Sequence, residues 1–231
     1  MPQPPSPAAC DEFRGRGRSE LQEGLDRNEE QPMNDTIFDL GPQTRAVARL
    51  AEGVRDEQLA GPTPCPDLAT RNLLGHLLGL AVAFRDAGRK HLGVTTDTPP
   101  NTAVPDIGPA WREELPKALD DLAEIWRDPA AWTGMTRAGG VDLPGEVAGA
   151  VVADELVIHG WDLARATGQE YEPDPAALRA AYGFLHAAAG DGLARGRGIF
   201  GPVVPVPEDA PLLDRALGLS GRDPRWSPRL P

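Results

Sequence analysis

Three side chains in the stretch ADELVIHGWDLARATGQ (residues 153–169) have types and spacing suited to chemistry: Glu155, His159 four residues on, and Asp162 three beyond that. On an α-helix these intervals stack the three on one face. The neighbouring residues are apolar, so the face points partly inward, where an unpartnered carboxylate or imidazole is costly. A divalent metal would remove that cost. Catalytic zinc commonly takes three N/O ligands and keeps a fourth position open. A histidine from another helix completes the number: His76, in RNLLGHLLGLAVAF, sits beside Leu73 and Leu80 on an apolar stripe. Only one histidine shares a helix with the glutamate, unlike the H-E-x-x-H of metalloproteases, so Glu155 reads as a ligand rather than a general base. Spacing alone leaves open the ordinary alternative of histidines packed in a core.

The supporting residues carry several readings. Asp162 is a fourth ligand, an acceptor that holds a ligand imidazole from behind, or a surface charge paired with Arg165; the acceptor role is the expectation. Arg165 either makes that salt bridge or meets an anionic substrate. His91 follows a helix and suits its negative end, and His186, among alanines, reads as packed or half-exposed. Trp161 is core or pocket wall. Cys65 has no helix N-terminus or histidine evidently beside it, and reads as a small buried hydrophobe rather than a nucleophile. The chain has no G-x-S-x-G elbow, P-loop or dinucleotide fingerprint.

Helices must position these groups. Val47, Leu50, Ala51 and Val54 recur at helical spacing within residues 39–54. The Pro-punctuated loop GPTPCPD (61–67) leads into a second helix over about 69–90, striped by Leu73, Leu77, Leu80 and Phe84. A third, over 109–127, carries Leu115, Leu122, Ile125 and Trp126, with Pro116 expected to kink it or mark a late start. Residues 131–145 read as a connection with a little strand. The fourth helix spans 146–167 and ends at Gly168. A fifth, 175–189, follows Asp174 as N-cap. Residues 198–207 read as extended, and a short helix follows over 211–219. This pattern predicts an all-α four-helix bundle with a short C-terminal extension.

Composition narrows the partners. A formal net charge of −12 argues against nucleic acid and against an anionic membrane surface. No apolar run is long enough to span a bilayer. Two cysteines, Cys10 and Cys65, form no disulfide framework, which favours a cytoplasmic setting. Residues 1–32 are rich in Pro, Gly and charge and are expected to be a disordered leader, with Met33 as a candidate translation start. The bundle is expected over 33–224 and an irregular tail over 225–231.

PTPCPDLATRNLLGHLLG (62–79) resembles the P-C-P-x-W-x-x-x-x-L-x-x-H segment of the DinB-like, mycothiol-dependent maleylpyruvate isomerase N-terminal family. DELVIHGWDLARATGQ (154–169) is similar to that family's second metal segment. FGPVVPVPEDAPLLDRALGLSGRDP (200–224) is similar to the ending of its small, single-domain actinobacterial branch. The resemblance implies a DinB-like four-helix bundle that binds a divalent metal, usually zinc, through His76, Glu155 and His159. Two positions depart from the pattern: Leu68 stands for the usual Trp, and Ala69 for a Ser or Thr helix cap. The isomerase carries an additional C-terminal domain for which the residues after Gln169 leave no room, so maleylpyruvate isomerisation itself is not expected.

The resulting expectation is a metal-dependent enzyme in which a small thiol such as mycothiol is activated against a small electrophilic substrate, as a transferase or isomerase. A metal-dependent hydrolase and a non-catalytic metal-binding or ligand-sensing module are the alternatives. Nickel and iron(II) accept the same ligands as zinc.

Overall fold

A computed structural model describes residues 37–66, 68–99, 106–190 and 201–228 of the chain. The leader expected over 1–32, the start at Met33, and the ends of the expected extended segment (198–200) and tail (229–231) lie outside the described residues. Helix dominates, as the periodicity predicts. Four helices form the bundle: α1 (Gly41–Glu52), α2 (Thr70–Gly88), α4 (Trp111–Ile125) and α6 (Gly145–Thr167). Around the ring, α1 packs on α4, α4 on α2, α2 on α6, and α6 back on α1. Short helices α3 (Val94–Asp97) and α5 (Pro129–Trp132) sit in the connections. Helix α7 (Pro175–Gly190) packs on α6, and α8 (Leu212–Leu219) packs on α7.

The centre of the fold is α6. Its apolar residues run round the helix rather than along one stripe, and Ala148, Val152, Leu156, Val157 and Leu163 are all fully buried. A helix that is apolar all round belongs inside. The partner helices contribute single stripes, Leu73, Leu77 and Leu80 from α2 and Leu115, Leu119 and Leu122 from α4. Ala69 leaves the first turn of α2 without a side-chain cap. Backbone carbonyls of the preceding loop do that work instead: Thr70 N–H donates to Gly61 O and Arg71 N–H to Leu59 O, each at 2.9 Å.

One expectation needs correction and another is filled in. Pro116 marks no late start: α4 begins at Trp111 and runs through the proline, whose missing N–H leaves only the Arg112 carbonyl without its helical donor. The connection over 131–145 does carry short strand. It holds an antiparallel hairpin, Met135–Ala138 with Val141–Pro144, turning on Gly139 and Gly140. Both glycines have positive φ (59° and 77°), as a two-residue hairpin turn of matching twist requires.

A buried polar staple holds the middle of α6. Gln43 Nε2 donates to the Leu156 carbonyl (3.0 Å) and the Tyr171 hydroxyl (2.7 Å), and that hydroxyl donates to the Val157 carbonyl (3.0 Å). Gln43 Oε1 accepts from Asp174 N–H at 3.0 Å. The staple grips the turn that carries Glu155 and His159. Tyr171 comes this close because residue 160 is glycine: a Cβ there would meet the Tyr171 hydroxyl oxygen at 2.8 Å. Gly160→Ala is therefore expected to lower stability by about 1–3 kcal/mol, read as a drop in Tm of the metal-free protein; an unchanged Tm would contradict the staple's role.

Candidate metal centre

Glu155 and His159 project from adjacent turns of α6, and His76 reaches them from the middle of α2. Glu155 Oε2 lies 3.1 Å from His76 Nε2 and 3.1 Å from His159 Nε2. The two imidazoles meet edge to face, with ring centroids 4.7 Å apart at 80°. All three ligand atoms lie within 4.8 Å of one another. Around a tetrahedral cation with bonds near 2.0–2.1 Å, ligand atoms sit about 3.3 Å apart, so the observed spacing fits a shared ion as well as direct hydrogen bonds. Two imidazoles and one carboxylate are the donor types of a three-ligand zinc site.

Asp162 lies behind the His159 ring. Its side chain is fully buried, and Oδ2 lies 2.9 Å from His159 Nδ1. The Oδ2 contact is made by Nδ1, which leaves Nε2 as the atom turned towards Glu155 and His76.

The charges follow from this arrangement. Burial pushes the Glu155 carboxyl up, but hydrogen bonds from His159 and His76 outweigh it and hold the group well below the usual carboxylate range. Burial pushes His159 down, but Asp162 and Glu155 at its two ring nitrogens outweigh that and raise it to about 9. In the metal-free chain His159 is thus an imidazolium between two carboxylates, a place that a cation can take over.

Arg165 is a correction. It does not pair with Asp162; its guanidinium donates from Nε (3.1 Å) and Nη2 to the Trp226 carbonyl. The cation on Asp162 is Arg222, whose Nη2 stands 3.1 Å from Oδ2. Arg165 instead lines an open cleft of about 980 Å³ with Trp161, Arg49 and Tyr171, and none of His76, Glu155 and His159 is in its wall. Trp161 is thereby both nearly buried and part of a pocket wall.

Cys65 is the second correction. The loop before α2 folds back, with Thr63 Oγ1 donating to the Cys65 (3.1 Å) and Leu68 (2.8 Å) carbonyls. Half-buried Cys65 then stands with His159 and Asp162, one potential ligand atom from each within 4.8 Å of the others. It is not a simple core hydrophobe. This second trio is the poorer home for a cation, because Arg222 places a positive charge against Asp162 there. Asp154 carried no signal in the sequence: it is buried, its Oδ1 has no hydrogen-bond partner among the described residues, and burial, followed by the neighbouring Glu155 charge, pushes its carboxyl well above the usual range. The other histidines stand apart, His91 exposed beyond α2 and His186 exposed and stacked on Tyr182.

The model of the mycothiol maleylpyruvate isomerase N-terminal domain family matches residues 40–164, more than half of the chain. The chain belongs to this family. The match spans α1 to α6 and includes His76, Glu155, His159 and Asp162, while Arg222 falls beyond it. Two curated relatives, both described as uncharacterized proteins of Mycobacterium tuberculosis (strains CDC 1551 and H37Rv), are each 28% identical over 181 residues, covering 78% of this chain and 93% of the relative. No solved structure matches. The family is associated with mycothiol-dependent enzymes and DinB-like metal-binding proteins, and the all-α bundle is of that DinB-like kind. No helix among the described residues is long and apolar enough to cross a membrane.

Proposed function

We propose that the protein binds one divalent metal, zinc first, through His76, Glu155 and His159, and uses it to act on a small thiol. The observation that carries this reading is the convergence of two imidazole nitrogens and a carboxylate oxygen from two helices. The side chains of His76 and Glu155 are 22% and 27% exposed, which supports an open fourth position rather than a closed structural site. When bound, such a metal favours the thiolate over the thiol at neutral pH. The chain's own residues hold the donors: Asp162 fixes the His159 ring, and the Gln43–Tyr171 staple fixes the turn of α6 that presents Glu155 and His159.

The family association supports mycothiol as the thiol. The reaction class is addition of the thiol sulfur to an electrophilic carbon of a small substrate, leading to S-transfer, conjugation or isomerisation in the cytoplasm. Calorimetry tests the thiol assignment. Mycothiol is expected to bind saturably to the zinc-loaded protein and not to the metal-free protein; no heat with the loaded protein would overturn the assignment.

A further inference from the structure

We infer that Arg222, beyond the family-matched residues, is a positioning residue of the metal centre, acting on His159 through Asp162. The inference rests on the reading of His159 as a ligand.

The geometry begins at the end of α8. Gly221 has φ of 86°, in the left-handed region that favours glycine. Its N–H donates to Gly218 O (3.2 Å), and the Arg222 N–H donates to Leu217 O (2.8 Å). Those two bonds are the Schellman ending of a helix, and they reverse the chain so that the residue after the glycine turns inward. The Arg222 side chain is 11% exposed. Its Nη1 donates to Ser220 O at 3.1 Å, and Nη2 reaches Asp162 Oδ2 at 3.1 Å. The same oxygen accepts from His159 Nδ1 at 2.9 Å. A guanidinium clamped by its own backbone thus holds a fully buried carboxylate in place, and that carboxylate sets the tautomer and orientation of the imidazole. Such outer partners tune ligands from behind, and substituting them costs about 10- to 100-fold in metal affinity.

Arg165 supplies the control. It also ties the C-terminal segment to α6, through the Trp226 carbonyl, but does not touch Asp162. If the segment served only as a tether, losing either arginine would have the same consequence. Zinc affinity is to be measured by competition with a chromophoric chelator on wild type, R222Q, R165Q, D162N and the D162N/R222Q double variant, with circular dichroism confirming each fold. Expected are losses of about 10- to 100-fold in R222Q and D162N, and a change within about threefold in R165Q. The double variant, which leaves no buried charge uncompensated, should be no weaker than the worse single variant, because the two residues act in one relay. Wild-type affinity in R222Q, wild-type affinity in the double variant, or equal losses in R222Q and R165Q would each overturn the inference. A wild type that binds no zinc would instead overturn the ligand assignment on which it rests.

Discussion

His76→Ala and His159→Ala are both expected to weaken zinc binding by more than about a hundredfold, beyond the cost of losing an outer-shell partner, yet to differ sharply in stability. The reason is the unequal setting of the two imidazoles. His76 is 22% exposed at its side chain, and its hydrogen-bond partner is Glu155 Oε2. Truncating it in the metal-free protein should change stability by less than about 1 kcal/mol, as for a partly solvated pair. The His159 side chain is 10% exposed, and its two nitrogens face Glu155 and the fully buried Asp162. Removing it leaves the fully buried Asp162 with Arg222 but without its imidazole partner, and a loss of about 2–3 kcal/mol is expected for a buried hydrogen bond to a charged group. Zinc content by elemental analysis and Tm by circular dichroism separate the two effects. Equal Tm losses, or retained zinc in either variant, would contradict the geometry.

The second large effect is on pH. His159 is raised to about 9 in the metal-free protein, chiefly because the carboxylates at its ring nitrogens outweigh its burial. A ligand imidazole must give up its Nε2 proton, so zinc competes with that proton below about pH 9. Affinity should therefore fall about tenfold per pH unit between pH 9 and pH 6, with about one proton released per zinc at pH 7. Competition titrations across this range, with calorimetry in buffers of different ionisation enthalpy, read both numbers. The stability of the metal-free protein should move the opposite way. A folded-state value above the ordinary 6.5 contributes stability that is fully present below about pH 6.5 and lost as pH rises through about 9. The contribution is about 3 kcal/mol, visible as a Tm difference from His159→Gln that closes towards pH 9. A pH-independent zinc affinity would rule out the imidazolium between Glu155 and Asp162.

Helical period explains which parts of this site were legible in the sequence. Glu155, His159 and Asp162 share a face because they share a helix, and His76 was found because it interrupts a leucine stripe on a second one. The bundle itself followed from the same stripes. Residues outside helices carry no period, and there the reading failed. Cys65 reaches His159 only because the loop before α2 folds back on itself, and Arg222 reaches Asp162 only because α8 ends in a glycine turn. The sequence offered Arg165, three residues on, as a partner for Asp162 only if that aspartate were a surface charge, and Asp162 is fully buried. The Arg165 guanidinium is engaged by the Trp226 carbonyl, and the buried position falls to Arg222. The hairpin turns on Gly139–Gly140, a glycine pair inside the connection read as carrying a little strand.

The assignment of His76, Glu155 and His159 as metal ligands can be read from X-ray absorption at the zinc edge of the fully loaded wild-type protein. A shell of nitrogen and oxygen atoms near 2.0–2.1 Å is expected, with two imidazole scattering patterns and no sulfur, in the absence of added thiol. A sulfur neighbour near 2.3 Å from Cys65, or fewer than two imidazoles, would contradict it.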